Sequence, residues 1–111
     1  MQEVRKPSKA VDDFWDAHAD SSYRKKIVSR AESLRPTIAS LSKDSLEEML
    51  EQWIETANFL LDGVEDLVEA VNIGLKSRPI EAMVWSAMEE LVSYKTYIEG
   101  ISMLTRQLEE L

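Results

Sequence analysis

Apolar residues recur at alternating spacings of four and three along most of the second half of the chain. They form one run of Leu46, Leu50, Trp53, Ala57, Leu60, Val64, Leu67 and Val71, and a second run of Ile80, Val84, Ala87, Leu91, Tyr94, Ile98, Ile101 and, past a polar Thr105, Leu108. A helix buried along one seam shows this spacing, because the members of the run then fall on one side of the helix. The pattern therefore predicts two long antiparallel helices packed as in a coiled coil.

Local signals give approximate bounds for this helical hairpin. We expect helix three over about residues 44–76 and helix four over about residues 79–110. Ser45 and Glu48 have the spacing of a capping box, which favours a helix start. Pro79 suits a first helical position, where its missing N–H costs no hydrogen bond. The hairpin therefore accounts for more than half of the chain.

A shorter helix is predicted before the hairpin, after a polar stretch over residues 1–7 that we expect to be frayed. Ser8 can cap it, and it should end at about Ala19. Its apolar face contains Val11, Phe14, Trp15 and His18.

A second short helix is expected from about Ser22 to Leu34. Pro36 removes a backbone donor and disfavours helical geometry in the residue before it. We therefore expect an interruption at Pro36, followed by one loose helical turn. A kinked continuation stays open, because Ile38 and Leu41 extend the spacing that Leu34 begins.

Both hairpin helices carry apolar residues beside their main seams, and so broad a surface needs more than one neighbour. These residues are Ile54, Leu61, Val68 and Leu75 on helix three, and Met83, Trp85, Met88, Val92, Tyr97 and Leu104 on helix four. Helix two, ending before Pro36, would span about 20 Å against about 45 Å for each hairpin helix. Four candidates could cover this surface: the stretch after Pro36, helix one, a second copy of the chain, or another protein. We predict an all-α helical bundle built on the hairpin, as a single domain over residues 1–111.

Composition narrows the class of protein. The chain has 111 residues, of which 44% are hydrophobic, and it has no cysteine, which excludes disulfides and thiolate metal sites. No apolar stretch is long enough to cross a membrane, and the first twenty residues are charged rather than apolar. We expect a protein of the cytoplasm that has no membrane partner.

Charge is divided unevenly along the chain. Residues 1 to 35 hold eight Lys or Arg against six acids, whereas residues 36 to 111 hold five against fifteen. The basic cluster of helix two consists of Arg24, Lys25, Lys26, Arg30 and Arg35. The acidic face of helix three consists of Glu47, Glu48, Glu51, Glu55, Asp62, Glu65, Asp66 and Glu69. Packing of helix two against helix three would offset the repulsion within the acidic face; the alternative is that both charged faces are solvated. The net charge of −8 argues against direct nucleic-acid binding.

Candidate chemistry is sparse. His18 is the only histidine, and its spacing builds no nucleophile–base pair, so we expect no enzyme, no cofactor and no resident metal. The Glu-Glu-x-x-Glu spacing of Glu47, Glu48 and Glu51, followed by Asp62, Glu65, Asp66 and Glu69, resembles the carboxylate pattern of the all-α nucleoside-triphosphate pyrophosphohydrolases. That resemblance implies magnesium held by helix-borne carboxylates. In that family the two acidic clusters lie on adjacent antiparallel helices, whereas here no turn signal separates them.

The sequence thus predicts a non-enzymatic protein–protein interaction module of the adaptor, chaperone or inhibitor type. It would act through an apolar face of the hairpin, as a homo-oligomer or with another protein. Its expected anchors are Trp85, Met88, Val92, Tyr97 and Leu104. Two alternatives remain open, which are the magnesium-dependent pyrophosphohydrolase and an acidic mimic of nucleic acid that blocks a basic cleft.

Overall fold

Four helices make up the protein in a computed structural model that describes residues 3–74 and 80–111. They are α1 (Lys9–His18), α2 (Ser21–Ala39), α3 (Lys43–Asn72) and α4 (Ile80–Glu109). The described residues contain no strand, so the predicted all-α bundle with a long hairpin is confirmed. The proposed start of helix four at Pro79 lies outside the described residues.

Side-chain caps explain where the first three helices begin. Ser8, Asp20 and Ser42 each accept a hydrogen bond from a backbone N–H in the first turn of the helix that follows. The capping box expected at Ser45 and Glu48 is therefore wrong, because α3 begins three residues earlier at the Ser42 cap. Local sequence rules placed this helix start to within a few residues.

Helix α2 continues through Pro36, so the expected interruption there is wrong. The continuation carries Ile38 into the core, where it is 4% exposed and packs in a cluster with Leu46, Leu50 and Leu104. Burying such a side chain stabilises the fold by about 1.5–3 kcal/mol. An interior proline costs about 3 kcal/mol, so tertiary packing offsets much of the local preference.

Helix α4 lies at the centre of the bundle and contacts α1, α2 and α3. Helix α2 packs mainly along α4 and meets α3 near Ile38. Among the described residues its basic side chains form no ion pair with the acidic face, so the expected charge-paired packing of helix two against helix three is wrong. An ion pair between Lys26 and Glu89, with an N–O distance of 3.0 Å, joins α2 to α4. The second apolar stripe of helix four thus finds its neighbour within the same chain.

The hairpin core is centred between the predicted seam of helix three and the stripe beside it. The buried apolar residues of α3 are Leu46, Leu50, Ile54, Ala57, Leu61, Val64 and Val68. Trp53, Leu60, Leu67 and Val71 were expected at the centre of the seam, but they are only partly buried. The short helices cover the stripe positions and so move the centre of burial towards them.

Candidate interaction surfaces

Most of the five expected interface anchors belong to the core instead. Met88, Val92 and Leu104 are at most 1% exposed, because α1 and α2 cover α4. Tyr97 is half-buried, with its ring edge-on to Trp53 at a centroid distance of 5.7 Å. Trp85 alone among the five is an exposed side chain, at 62%. The predicted continuous apolar face is therefore corrected to a covered core with single exposed apolar residues around it.

The acidic face does form one surface of α3. All of its eight carboxylates are exposed except Glu65, which is half-buried. At 3.6 residues per turn they fall within an arc of about 100°. Among the described residues, only Asp62 and Glu65 of this face form ion pairs, and both do so with Arg5. The remaining carboxylates give this side of the molecule a negative charge that faces solvent.

Phe59 stands beside the acidic face and is 76% exposed. It lines a shallow depression together with Gln52, Glu55 and Thr56. Sequence reasoning missed Phe59, because the search followed apolar residues in register with the seam. Phe59 lies one residue before Leu60 and is therefore out of register with the seam. This offset places its aromatic ring on the solvent side of the helix, and it could have identified Phe59 from the sequence.

The basic cluster is divided over the surface of α2. Lys26 turns towards Glu89 of α4, whereas Arg35 forms a 2.8 Å ion pair with Glu32 on its own helix. Val28, 60% exposed, lies one helical turn after Arg24. Arg24 and Lys25 therefore lie on the N-terminal side of Val28, and Glu32 lies one helical turn after it.

A short groove between α2 and α4 adjoins Val28. Its walls include Ile27, Ala31, Met103 and Arg106, and its volume is about 190 Å³. This groove has an apolar floor, and its rim carries Glu32 and Glu99 as well as Arg35 and Arg106. It offers space for one side chain from outside the molecule.

Residues 3–8, which we call the strap, have no regular secondary structure and lie over the α3–α4 hairpin. The side-chain amide of Asn58 accepts a hydrogen bond from the backbone N–H of Arg5 at 2.8 Å and donates one to the carbonyl of Glu3 at 3.0 Å. The hydroxyl of Tyr94 donates to the carbonyl of Arg5 at 2.8 Å. Residues 1 and 2 lie outside the described part of the chain.

Burial also sets the acidity of Tyr94, whose side chain is 3% exposed. Desolvation raises the pKa of the Tyr94 hydroxyl, the charges of Asp12 and Glu65 raise it further, and the nearby Arg5 lowers it. The neutral hydroxyl is the form that can donate to the strap. Its only proton is thus committed to a structural hydrogen bond.

The candidate chemical groups are dispersed. The Nδ1 atom of His18 lies 3.0 Å from the carbonyl oxygen of Phe14 on the same helix, and the side chain is exposed. Within residues 3–74 and 80–111, no three His, Asp or Glu side chains converge as a metal site requires. The Glu47, Glu48 and Glu51 carboxylates are exposed along one helix and face no second acidic helix. None of the described helices has the combined length and apolar character needed to traverse a membrane.

Comparison with known proteins identifies no relative. No protein-family model matches the chain, and neither a curated protein nor a solved structure matches it.

Proposed function

We propose that the protein is a non-enzymatic interaction module of the cytoplasm that associates with a second copy of itself. In this proposal, Phe59 and the acidic face of one copy bind the Val28 side of α2 in the other. The observation that carries the proposal is the 76% exposure of Phe59 beside carboxylates of one sign. Single exposed apolar residues are common on protein surfaces. Phe59 differs because it is a large aromatic ring, the type of side chain enriched in binding hot spots and interface cores.

Charge complementarity supports a second copy in a head-to-tail arrangement. Two acidic faces would repel each other, so Phe59 cannot easily pair with the Phe59 surface of another copy. Arg24 and Lys25 beside Val28 supply the opposite charge, and the α2–α4 groove supplies apolar walls. Such a contact joins two different surfaces, so the acidic face of one terminal copy and the α2 surface of the other stay free at the ends of the assembly.

Two charge reversals test this arrangement by complementation. Glu55→Lys reverses the charge four residues before Phe59, and Arg24→Glu reverses the charge four residues before Val28. Light-scattering mass after size exclusion should show wild-type dimers or larger species that dissociate on dilution and at high salt. Each variant alone should associate at least tenfold more weakly. A 1:1 mixture should recover dimers, because the unaltered α2 surface of Glu55→Lys can bind the unaltered acidic face of Arg24→Glu.

Arg30→Glu is the matched control, because it makes the same charge change at an exposed position on another side of α2. It should associate like the wild type. A dimer that survives Arg24→Glu would contradict the head-to-tail contact. A wild-type chain that is monomeric throughout the concentration series would contradict self-association altogether.

The acidic mimic of nucleic acid remains a second candidate, favoured by the line of exposed carboxylates on α3. It would use the same surface to occupy a basic cleft on another protein. It predicts a monomer whose binding to that protein weakens steeply with salt. No feature of the described residues favours the pyrophosphohydrolase alternative.

A further inference from the structure

The strap is held mainly through its backbone. Asn58 bonds to one N–H and one carbonyl of the strap, which is the pairing that a neighbouring β-strand would offer. The Tyr94 hydroxyl bonds to a second carbonyl. Any extended peptide has these three backbone groups in the same order. Most of the polar recognition in this groove therefore does not depend on the strap's own sequence.

Two side chains of the strap give the groove its selectivity. The guanidinium of Arg5 bonds to the carboxylate of Asp62 and lies 3.5 Å from that of Glu65. Val4 is half-buried against the cluster that contains Leu50 and Ile54. The groove thus selects an apolar residue followed directly by a basic one.

Asn58 also shows that the groove is built for a polar occupant. It is the buried polar side chain of the described core, and it faces the strap rather than another helix. The strap takes the hydrogen bonds of the Asn58 amide and of the Tyr94 hydroxyl, and both side chains are buried. Release of the strap therefore breaks these hydrogen bonds, and an extended peptide in its place would restore them.

We propose that this groove is a peptide-binding site, and that the strap occupies it as a built-in competitor. Its ligand is an extended segment of another protein that carries an apolar residue followed by arginine. Because the strap is tethered beside the groove, its effective concentration there is high. The partner segment therefore binds only those molecules whose strap has left the groove. The site shares Asp62 and Glu65 with the acidic face, but it uses neither Phe59 nor α2, so peptide binding can be measured separately from the proposed self-association.

The test loosens the strap and supplies the same sequence in trans. Arg5→Glu, in the full chain, places a negative charge beside Asp62 and Glu65 and should open the strap without altering the helices. The probe is a synthetic peptide of residues 3–8, Glu-Val-Arg-Lys-Pro-Ser. The NMR signals of the Asn58 side-chain amide report its binding. We expect half-saturation of Arg5→Glu at a peptide concentration at least tenfold lower than for the wild type.

Three controls make the result specific. Lys6→Glu changes charge at an exposed strap residue next to Arg5 and should behave like the wild type. A peptide with its arginine replaced by glutamate should bind at least tenfold more weakly. Asn58→Leu, added to Arg5→Glu, should abolish peptide-induced shifts of the Tyr94 ring signals. Circular dichroism checks that each variant is helical, and Arg5→Gln replaces Arg5→Glu if that chain is not.

Equal half-saturation for wild type and Arg5→Glu would overturn the proposal, as would equal binding of the glutamate peptide. Absence of any shift at millimolar peptide in a folded Arg5→Glu chain would also overturn it. Each of these outcomes leaves the mass measurements on Glu55→Lys and Arg24→Glu unaffected. Failure of the peptide site and failure of self-association are therefore distinguishable.

Discussion

Gly100 lies where α4 passes the ring of Trp53. A Cβ atom at this position would overlap Cζ3 of Trp53, so the ring would have to move. Replacing a helical glycine by alanine gains about 1 kcal/mol in helix propensity. Overpacking costs about 1–3 kcal/mol. Gly100→Ala should therefore lower the free energy of unfolding by about 1 kcal/mol, as measured by urea denaturation.

Gly63 provides a matched control for this substitution within α3. Its added Cβ would stand 2.8 Å from Oε2 of Glu90, the far end of a flexible side chain that can turn towards water. Gly63→Ala should therefore raise the free energy of unfolding by about 0.5–1 kcal/mol. If both substitutions stabilise the protein, the close approach of Gly100 to Trp53 is wrong.

Tyr94 should make the stability of the protein sensitive to alkaline pH. Its pKa is raised in the folded state, so the unfolded chain, with an ordinary tyrosine pKa of about 10, loses this proton first. The stabilising contribution is fully present below pH 10 and is lost as the pH rises through the folded-state pKa. Urea denaturation of wild type and Tyr94→Phe across pH 8 to 11 should show a steeper decline for the wild type. Parallel declines would contradict a buried, hydrogen-bonded hydroxyl.

Substitution of Pro36 measures the cost of a proline inside α2, which tertiary packing of the helix has to offset. Its side chain is exposed and its ring occupies the interior of a helix, so it contributes little packing while removing a backbone hydrogen bond. Pro36→Ala should raise the free energy of unfolding by about 1–3 kcal/mol. Thr37→Ala, its exposed neighbour, should gain only about 0.5 kcal/mol. Thermal denaturation followed by circular dichroism measures both variants.

A loss of stability in Pro36→Ala would show that α2 needs the proline at this position. In that case, the rigidity of proline in the unfolded chain would outweigh the restored hydrogen bond. The continuation of α2 through residue 36 would then depend on more than the burial of Ile38.

Closure of the core by α1 and α2 is a property of the whole molecule, and it separates Met88 from Trp85. Met88 is 1% exposed beneath these helices, so Met88→Ala should lower the free energy of unfolding by about 2–5 kcal/mol. Trp85→Ser, at a position 62% exposed, should change it by no more than about 0.5 kcal/mol. Reversal of this order would indicate that α4 presents Met88 outwards.

The candidate surfaces were only partly predictable at this scale. The acidic face followed from helical periodicity, since all its carboxylates belong to one helix whose register the apolar seam fixes. The anchors Met88, Val92 and Leu104 were misplaced, because periodicity identifies an apolar stripe but not the element that covers it. Phe59 was missed because it lies outside the register of the seam. The strap was missed because Glu3 and Arg5 bond to Asn58, which is more than fifty positions away along the chain.

The sequence by itself determined that the chain forms four helices, where the first three begin to within a few residues, and that the last two form a hairpin. These features depend on residues within one or two turns, such as Ser8, Asp20 and Ser42 at the helix starts. Only the tertiary structure decided that α2 passes through Pro36, that α4 is central and that the strap covers Asn58. Each of these outcomes is a competition between a local preference and burial against distant residues. Their free energies are similar in size, so the local sequence cannot settle which one prevails.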